Sequence, residues 1–186
     1  MGGCLFVVSG PAGAGKGTLL GSAVSQIDDA WVSISTTTRA PRGTEVNGVE
    51  YIFTTVEEFE AGIAEGGFIE WANVHGNYYG TPIRPILQHV EQGCPVFLEI
   101  DVQGAFQVKE KFPDAKLIFI APPSMEVLEQ RLRGRGTDSE ESIQLRLANA
   151  ADEMAVSNRY DHIIVNDDLD SSIAELVEVI QSYVGH

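Results

Sequence analysis

The stretch Cys4-Leu5-Phe6-Val7-Val8-Ser9-Gly10-Pro11-Ala12-Gly13-Ala14-Gly15-Lys16-Gly17-Thr18 decides the fold. Its first part is an apolar run that reads as a buried strand. Its second part is a glycine-rich turn that ends in a lysine and opens a helical pattern. Glycines let successive backbone N–H groups converge on phosphate oxygens without obstruction by Cβ. A helix N-terminus adds its dipole, and Lys16 adds a full positive charge. Strand, glycine-rich turn, lysine and helix in this order form a P-loop pattern, which cradles phosphates. The plainer reading, a strand-to-helix turn with a surface lysine, fits that context poorly. One departure stands out. The usual pattern places Ser or Thr directly after the lysine, as a Mg²⁺ ligand. Here Gly17 stands there and the hydroxyl comes one later, at Thr18. That arrangement suits small nucleotide kinases better than switch GTPases.

Outward from this stretch, strands and helices alternate. Apolar runs at 4–9, 31–35, 95–100, 116–121 and 162–166 read as strands. Helical patterns over 18–26, 102–111, 124–133, 139–159 and from about 170 fall between or after them. Ser124 is a plausible N-cap. In the longest helix Ile143, Leu147, Ala150 and Met154 form one apolar stripe. The fold class is therefore α/β, a parallel sheet flanked by helices. Residues 36–93 break the rhythm and read as an inserted subdomain. Asn47-Gly48 signals a hairpin leading into a strand at Tyr51–Phe53. Thr55-x-x-Glu58 makes a capping box for a helix through Ala64. Thr81-Pro82 reads as the cap and first residue of another helix. The glycines of Gly134-Arg135-Gly136 suggest a second flexible element.

Composition narrows the partners. Among 186 residues, 27 are acidic and 12 basic, for a net charge of −15. Such acidity argues against polymeric nucleic acid and against anionic membranes. The apolar runs are far shorter than the roughly 20 residues a membrane helix needs. No signal-peptide pattern precedes the glycine-rich turn, and two cysteines make no disulfide framework. A cytoplasmic setting is expected, as monomer or homo-oligomer. An acidic chain can still bind small anions if its few cations gather in one place. The run Pro95-Val-Phe-Leu-Glu99-Ile-Asp101 resembles the second acidic strand of P-loop proteins. Glu99 and Asp101 lie two apart, so on a strand they point the same way. They either face the cradle or cap the following helix.

Three further segments complete the pattern. They are Ser35-Thr-Thr-Thr-Arg39-Ala-Pro-Arg42 with Asn47-Gly-x-Glu-Tyr51; Phe68-Ile-Glu70-Trp with Gly76-Asn-Tyr-Tyr79-Gly-Thr81; and Arg131-x-x-Gly-Arg135-Gly-Thr with Asn166-Asp167. With the P-loop, these strings resemble the guanylate kinase family from about Leu5 to Val184. The resemblance implies ATP and GMP as substrates, Mg²⁺ as cofactor, and transfer of a phosphoryl group from ATP to GMP, and to dGMP. It implies a core (1–35, 94–130, 160–186), a GMP-binding region (36–93) and a lid (about 131–159).

Residue by residue, the resemblance assigns Arg39, Arg42, Tyr51 and Tyr79 to the GMP phosphate. Guanidinium forks and phenol hydroxyls suit a dianion. Ser35, Glu70, Thr81, Glu99 and Asp101 fall on the GMP side. A carboxylate at Glu70 accepts both N1–H and the exocyclic amino group of guanine, whereas adenine would leave it unpaired. Residues 10–18, Arg131, Arg135, Asn166 and Asp167 fall on the ATP side. Asn166 and Asp167 also read as a turn opening the last helix. Lys16, Arg39, Arg135 and Arg146 would carry catalysis by neutralising charge. Mg²⁺ would be held mainly by phosphates and water, aided by Thr18, Glu99 and Asp101. Tyr78 reads as packing and Arg133 as surface. The departures are modest: Ala12, Glu99 and Thr81 stand where serine, aspartate and serine are usual. Two other readings compete, a phosphopeptide-binding scaffold domain and a kinase for another phosphorylated substrate. The intact cradle opposes the first; Ser35, Glu70 and Asp101 together oppose the second.

Overall fold

Strand β1 (Leu5–Ser9) is buried along its whole length, because helices cover both faces of the sheet it centres. Its alternation divides the interior in two. Leu5 and Val7 enter one apolar cluster; Phe6 and Val8 enter the other. The computed structural model describes residues 3–74, 76–134, 136 and 139–184. Among these, β2 (Trp31–Val32), β7 (Val96–Glu99), β8 (Lys116–Ala121) and β9 (His162–Val165) join β1 in a parallel sheet of order β2-β7-β1-β8-β9. The same period-2 rule splits β7 and β8. Leu98 and Phe119 face one cluster, Phe97 and Ile118 the other. Helices α1 (Lys16–Val24) and α7 (Leu169–Val184) cover the second cluster; α3 (Ile83–Glu91) and α4 (Val102–Lys111) cover the first.

A second sheet, β4-β3-β6-β5, is built from β3 (Thr36–Thr37), β4 (Ile52–Phe53), β5 (Phe68–Val74) and β6 (Asn77–Pro82), with α2 (Val56–Ala64) between β4 and β5. The capping box on α2 forms as its spacing predicts, with Thr55 and Glu58 exchanging bonds. Helices α5 (Met125–Gly134) and α6 (Glu140–Ala155) pack Leu128, Leu132, Ile143 and Ala150 together.

The structure corrects several local expectations. Asn47-Gly48 makes a turn but no hairpin, because β3 and β4 run parallel. The Gly48 N–H closes that turn on the Tyr51 carbonyl at 2.8 Å. The first-sheet strand stops at Val32, since the Ser35 carbonyl accepts from Ile52 in the second sheet. Thr81 does not cap α3. Pro82 holds the N-cap position, and the Thr81 hydroxyl is used by Glu70 instead. The long helix begins after its cap Ser139 and ends at Ala155; a 3₁₀ turn follows at Ser157–Arg159. Met154 leaves the expected stripe and packs into the β1 cluster.

Candidate active site

The turn after β1 is shaped by close approaches that only glycine allows. Gly10 has φ +144°, and a Cβ there would sit 2.1 Å from the Ile120 carbonyl of β8. Gly15 has φ +89°, and its Cβ would come within 2.5 Å of Asn166 Nδ2. Lys16, the first residue of α1, donates to the carbonyls of Gly10 (2.6 Å) and Pro11 (3.1 Å), which holds its ammonium over the loop. Asn166 donates its side-chain amide to Ala14 O at 2.7 Å, and its own carbonyl accepts from Arg131 at 2.9 Å. The last strand and α5 thereby brace the cradle from behind. Asn166 is a buried brace as well as a member of the turn before α7. The cap of α7 belongs to Asp168, which accepts from Ser171.

Two of the cavities that Glu99 lines hold most of the expected residues. One is the cradle itself, lined by Ala12, Gly13, Gly15, Lys16, Gly17, Thr18 and Glu99. On its far side Arg131, Asn166, Asp167 and Thr18 line a continuation. The other is a cavity of about 250 Å³ between the two sheets, walled by Ser35, Tyr51, Glu70, Tyr79, Glu99 and Asp101. The expected strand geometry of Glu99 and Asp101 does not hold, since β7 ends at Glu99. Asp101 is the N-cap of α4, accepting from Gly104 N at 2.7 Å, yet it still lines the cavity. The capping and cavity roles therefore coexist.

Within this cavity a relay of hydroxyls leads to Glu70. The Thr81 hydroxyl donates to Glu70 Oε1 at 2.6 Å. Ser35 Oγ lies 3.2 Å from the same Thr81 oxygen. Because the Thr81 proton goes to the carboxylate, Ser35 is the donor in that contact. Burial pushes the Glu70 carboxyl above the usual carboxylate range, with the Thr81 bond opposing. Arg39 does not line the cavity but packs behind its wall residue Tyr51: it is buried at 9% exposure and lies 5.3 Å from the Tyr51 ring and 5.8 Å from the Phe53 ring. Burial likewise raises the Tyr51 phenol. Arg42 sits exposed on the adjoining loop. Tyr78 packs on Phe59, as expected, with its hydroxyl on Glu60. Arg133 pairs with Glu129 and Glu140 at the surface.

These elements together describe a glycine-rich cradle and a cavity between the sheets that share one carboxylate, Glu99. The guanylate kinase family model matches residues 3–183. The chain belongs to the guanylate kinase family. A guanylate kinase of Synechocystis sp. is 51% identical over 178 residues, covering 96% of this chain and 93% of that one. One of Thermosynechococcus vestitus is 52% identical over 180 residues, covering 97% and 94%. The crystal structure of guanylate kinase from Anaplasma phagocytophilum superposes with a TM-score of 0.76 at 34% identity, covering 97% of this chain and 86% of that one. A shikimate kinase from Bacteroides thetaiotaomicron shares the fold alone, with a TM-score of 0.54 at 18% identity.

Against the guanylate kinase pattern, the structure brings Ser35, Tyr51, Glu70, Tyr79, Glu99 and Asp101 to one cavity. It brings Lys16, Thr18 and most of the loop to the other. Arg146 bonds Ser142 on its own helix and is not among the residues lining these cavities. Arg135 lies outside the described residues. Three residues were missed. Glu153, on α6, lines the space beside Lys16 and Asp101, and burial raises its carboxyl while Lys16 opposes. Glu45 pairs with Arg39. Gly104 approaches Glu70 so closely that a Cβ would meet Oε2 at 2.9 Å. A lone glycine inside a helical pattern was the available signal for the last. Gly104→Ala is expected to raise GMP KM several-fold by displacing Glu70, with ATP KM unchanged. Melting temperature should hold or rise, since alanine favours a helix by roughly 1 kcal/mol. Steady-state kinetics and thermal melting check this, and an unchanged GMP KM would refute the contact.

Proposed function

We propose that this chain transfers the γ-phosphoryl group of ATP to GMP, and to dGMP, giving ADP and a guanosine diphosphate. The observation that carries the reading is the shared wall: Glu99 borders both the cradle and the cavity that holds Glu70. Donor and acceptor phosphates would meet there. On this reading Glu70, backed by Thr81 and Ser35, reads the guanine edge. Arg39, Arg42, Tyr51 and Tyr79 hold the acceptor phosphate. Lys16 and the loop N–H groups hold the donor phosphates, while Arg131, Asn166 and Asp167 border the adenine side. Arg135 and Arg146 neutralise charge on the transferring phosphoryl group from the lid, about 131–159, which would close over ATP.

The acceptor oxygen is already ionised at neutral pH, so no strong general base is required. Positioning and charge neutralisation carry the catalysis. Closure would exclude water and limit ATP hydrolysis. Among the described residues no cluster of His, Cys, Asp and Glu forms a metal-binding group of its own. Thr18, Glu99 and Asp101 fit a Mg²⁺ ion held chiefly by phosphate and water. Mg²⁺, when bound, would offset charge on the donor phosphates. No described helix is long and apolar enough to cross a membrane. A cytoplasmic enzyme acting on small nucleotides, with no polymeric nucleic acid, fits the acidic surface.

A coupled ADP-release assay across GMP, dGMP, AMP, UMP and CMP tests the reading. Turnover with GMP and dGMP is expected. No turnover with GMP would sink the assignment, and equal turnover with AMP would sink the guanine site.

A further inference from the structure

Arg39 has a partner that binding a phosphate does not require. Its guanidinium meets Glu45 end-on, NH1 to Oε2 at 2.9 Å and NH2 to Oε1 at 3.0 Å. The other NH1 hydrogen goes to the Ala40 carbonyl at 2.7 Å. Glu45 Oε2 also accepts the Arg42 backbone N–H at 2.7 Å. One carboxylate thus ties together the two arginines read above as holding the acceptor phosphate.

The electrostatics alone make this an odd neighbour. A carboxylate beside an anion site weakens the attraction for a dianion. The geometry offers the compensation. The Arg39 guanidinium carbon lies over the rings of Tyr51 and Phe53. Glu45 fixes the guanidinium's orientation by taking the NH1–NH2 edge. The Nε–H and the second NH2 hydrogen then form the remaining two-donor edge, the geometry that suits a phosphate. The Tyr79 hydroxyl interacts with the same guanidinium; with the other donors taken it stands at this edge, where it would make way for a phosphate oxygen or donate to it.

We propose that Glu45 is a positioning residue of the acceptor-phosphate clamp. It aims the Nε–NH2 edge of Arg39 and closes the Arg42 loop before the nucleotide arrives. The inference rests on the reading of Arg39 as a phosphate ligand. Preorganisation of this kind improves binding by removing the cost of ordering long side chains during association.

Steady-state kinetics of Glu45→Gln, Glu45→Asp, Arg39→Ala and the Arg39→Ala/Glu45→Gln double variant test it, with thermal melting alongside. Glu45→Gln is expected to raise GMP KM about 10-fold or more, leaving ATP KM unchanged. Glu45→Asp keeps the charge but is too short to span both Arg39 nitrogens and the Arg42 N–H, and should fall between. In the Arg39→Ala background, Glu45→Gln should add less than about 2-fold, because its effect runs through Arg39. A GMP KM unchanged or lowered by Glu45→Gln would overturn the proposal and mark Glu45 as a mere rival of phosphate. An equal effect in both backgrounds would overturn it as well. If Glu45→Gln does not fold, Glu45→Asp decides: a raised GMP KM supports the proposal and a wild-type value refutes it. Should Arg39→Ala itself leave GMP KM unchanged, the phosphate-ligand reading fails first.

Discussion

Replacing Lys16 with alanine is expected to lower kcat by about 10²- to 10³-fold while the fold persists. The ammonium stands at the first turn of α1, on the carbonyls of Gly10 and Pro11. There it would meet charge that grows on the donor phosphates during transfer. The loop has supports besides Lys16: Asn166, just beyond the last strand, braces Ala14, and Gly10 lies against β8. Circular dichroism should therefore match the parent protein while single-turnover rates fall. Wild-type activity in this variant would show that Lys16 is not the phosphate contact.

Glu70→Gln is expected to lower kcat/KM for GMP by about 10²-fold and to leave AMP use as poor as before. The amide keeps one acceptor but brings a donor to face the guanine N–H groups. The pH dependence gives a second signature. Burial raises the Glu70 carboxyl, so it takes up a proton at a higher pH than an exposed glutamate. GMP KM should rise as pH falls through that folded-state value, because the neutral acid accepts less well. In Glu70→Gln this limb of the profile should vanish. Stability has the opposite sign. A raised folded pKa means that the native state binds the proton more tightly, so this group favours folding more as pH falls. Identical GMP profiles in the two proteins would refute the base readout.

Much of this was legible along the chain because local rules govern it. The strands at the sheet centre follow from apolar runs that must be covered on both faces, and the α2 cap follows from a four-residue spacing. The cradle is legible as well, since glycines at 10, 13, 15 and 17 mark its loop, although what presses on Gly10 and Gly15 is distant in sequence. The charge pattern also became readable. Six of the twelve bases, Lys16, Arg39, Arg42, Arg131, Arg135 and Arg146, are those the family resemblance assigns to nucleotide phosphates. Several others hold the fold, such as Lys111 on the Ile69 carbonyl and Arg159 over the Phe106 ring.

Other roles were hidden because their partners are distant in sequence. Thr81 looks like a helix cap until Glu70, eleven residues away, accepts its hydrogen bond. Asn166 looks like a turn residue until its amide reaches Ala14 across 152 positions. Gly104 is an ordinary weak point in a helix until Glu70 arrives against it.

The sequence by itself determined a P-loop strand, turn and helix on a parallel α/β sheet, because an apolar run, a glycine-rich turn and a helix start are each written in neighbouring residues. The tertiary structure alone decided that Glu99 borders both cavities, that Thr81 and Ser35 bond toward Glu70, and that Glu45 pairs with Arg39. Those are choices among competing hydrogen-bond partners. Which partner wins depends on which side chains two separate sheets bring within bonding distance.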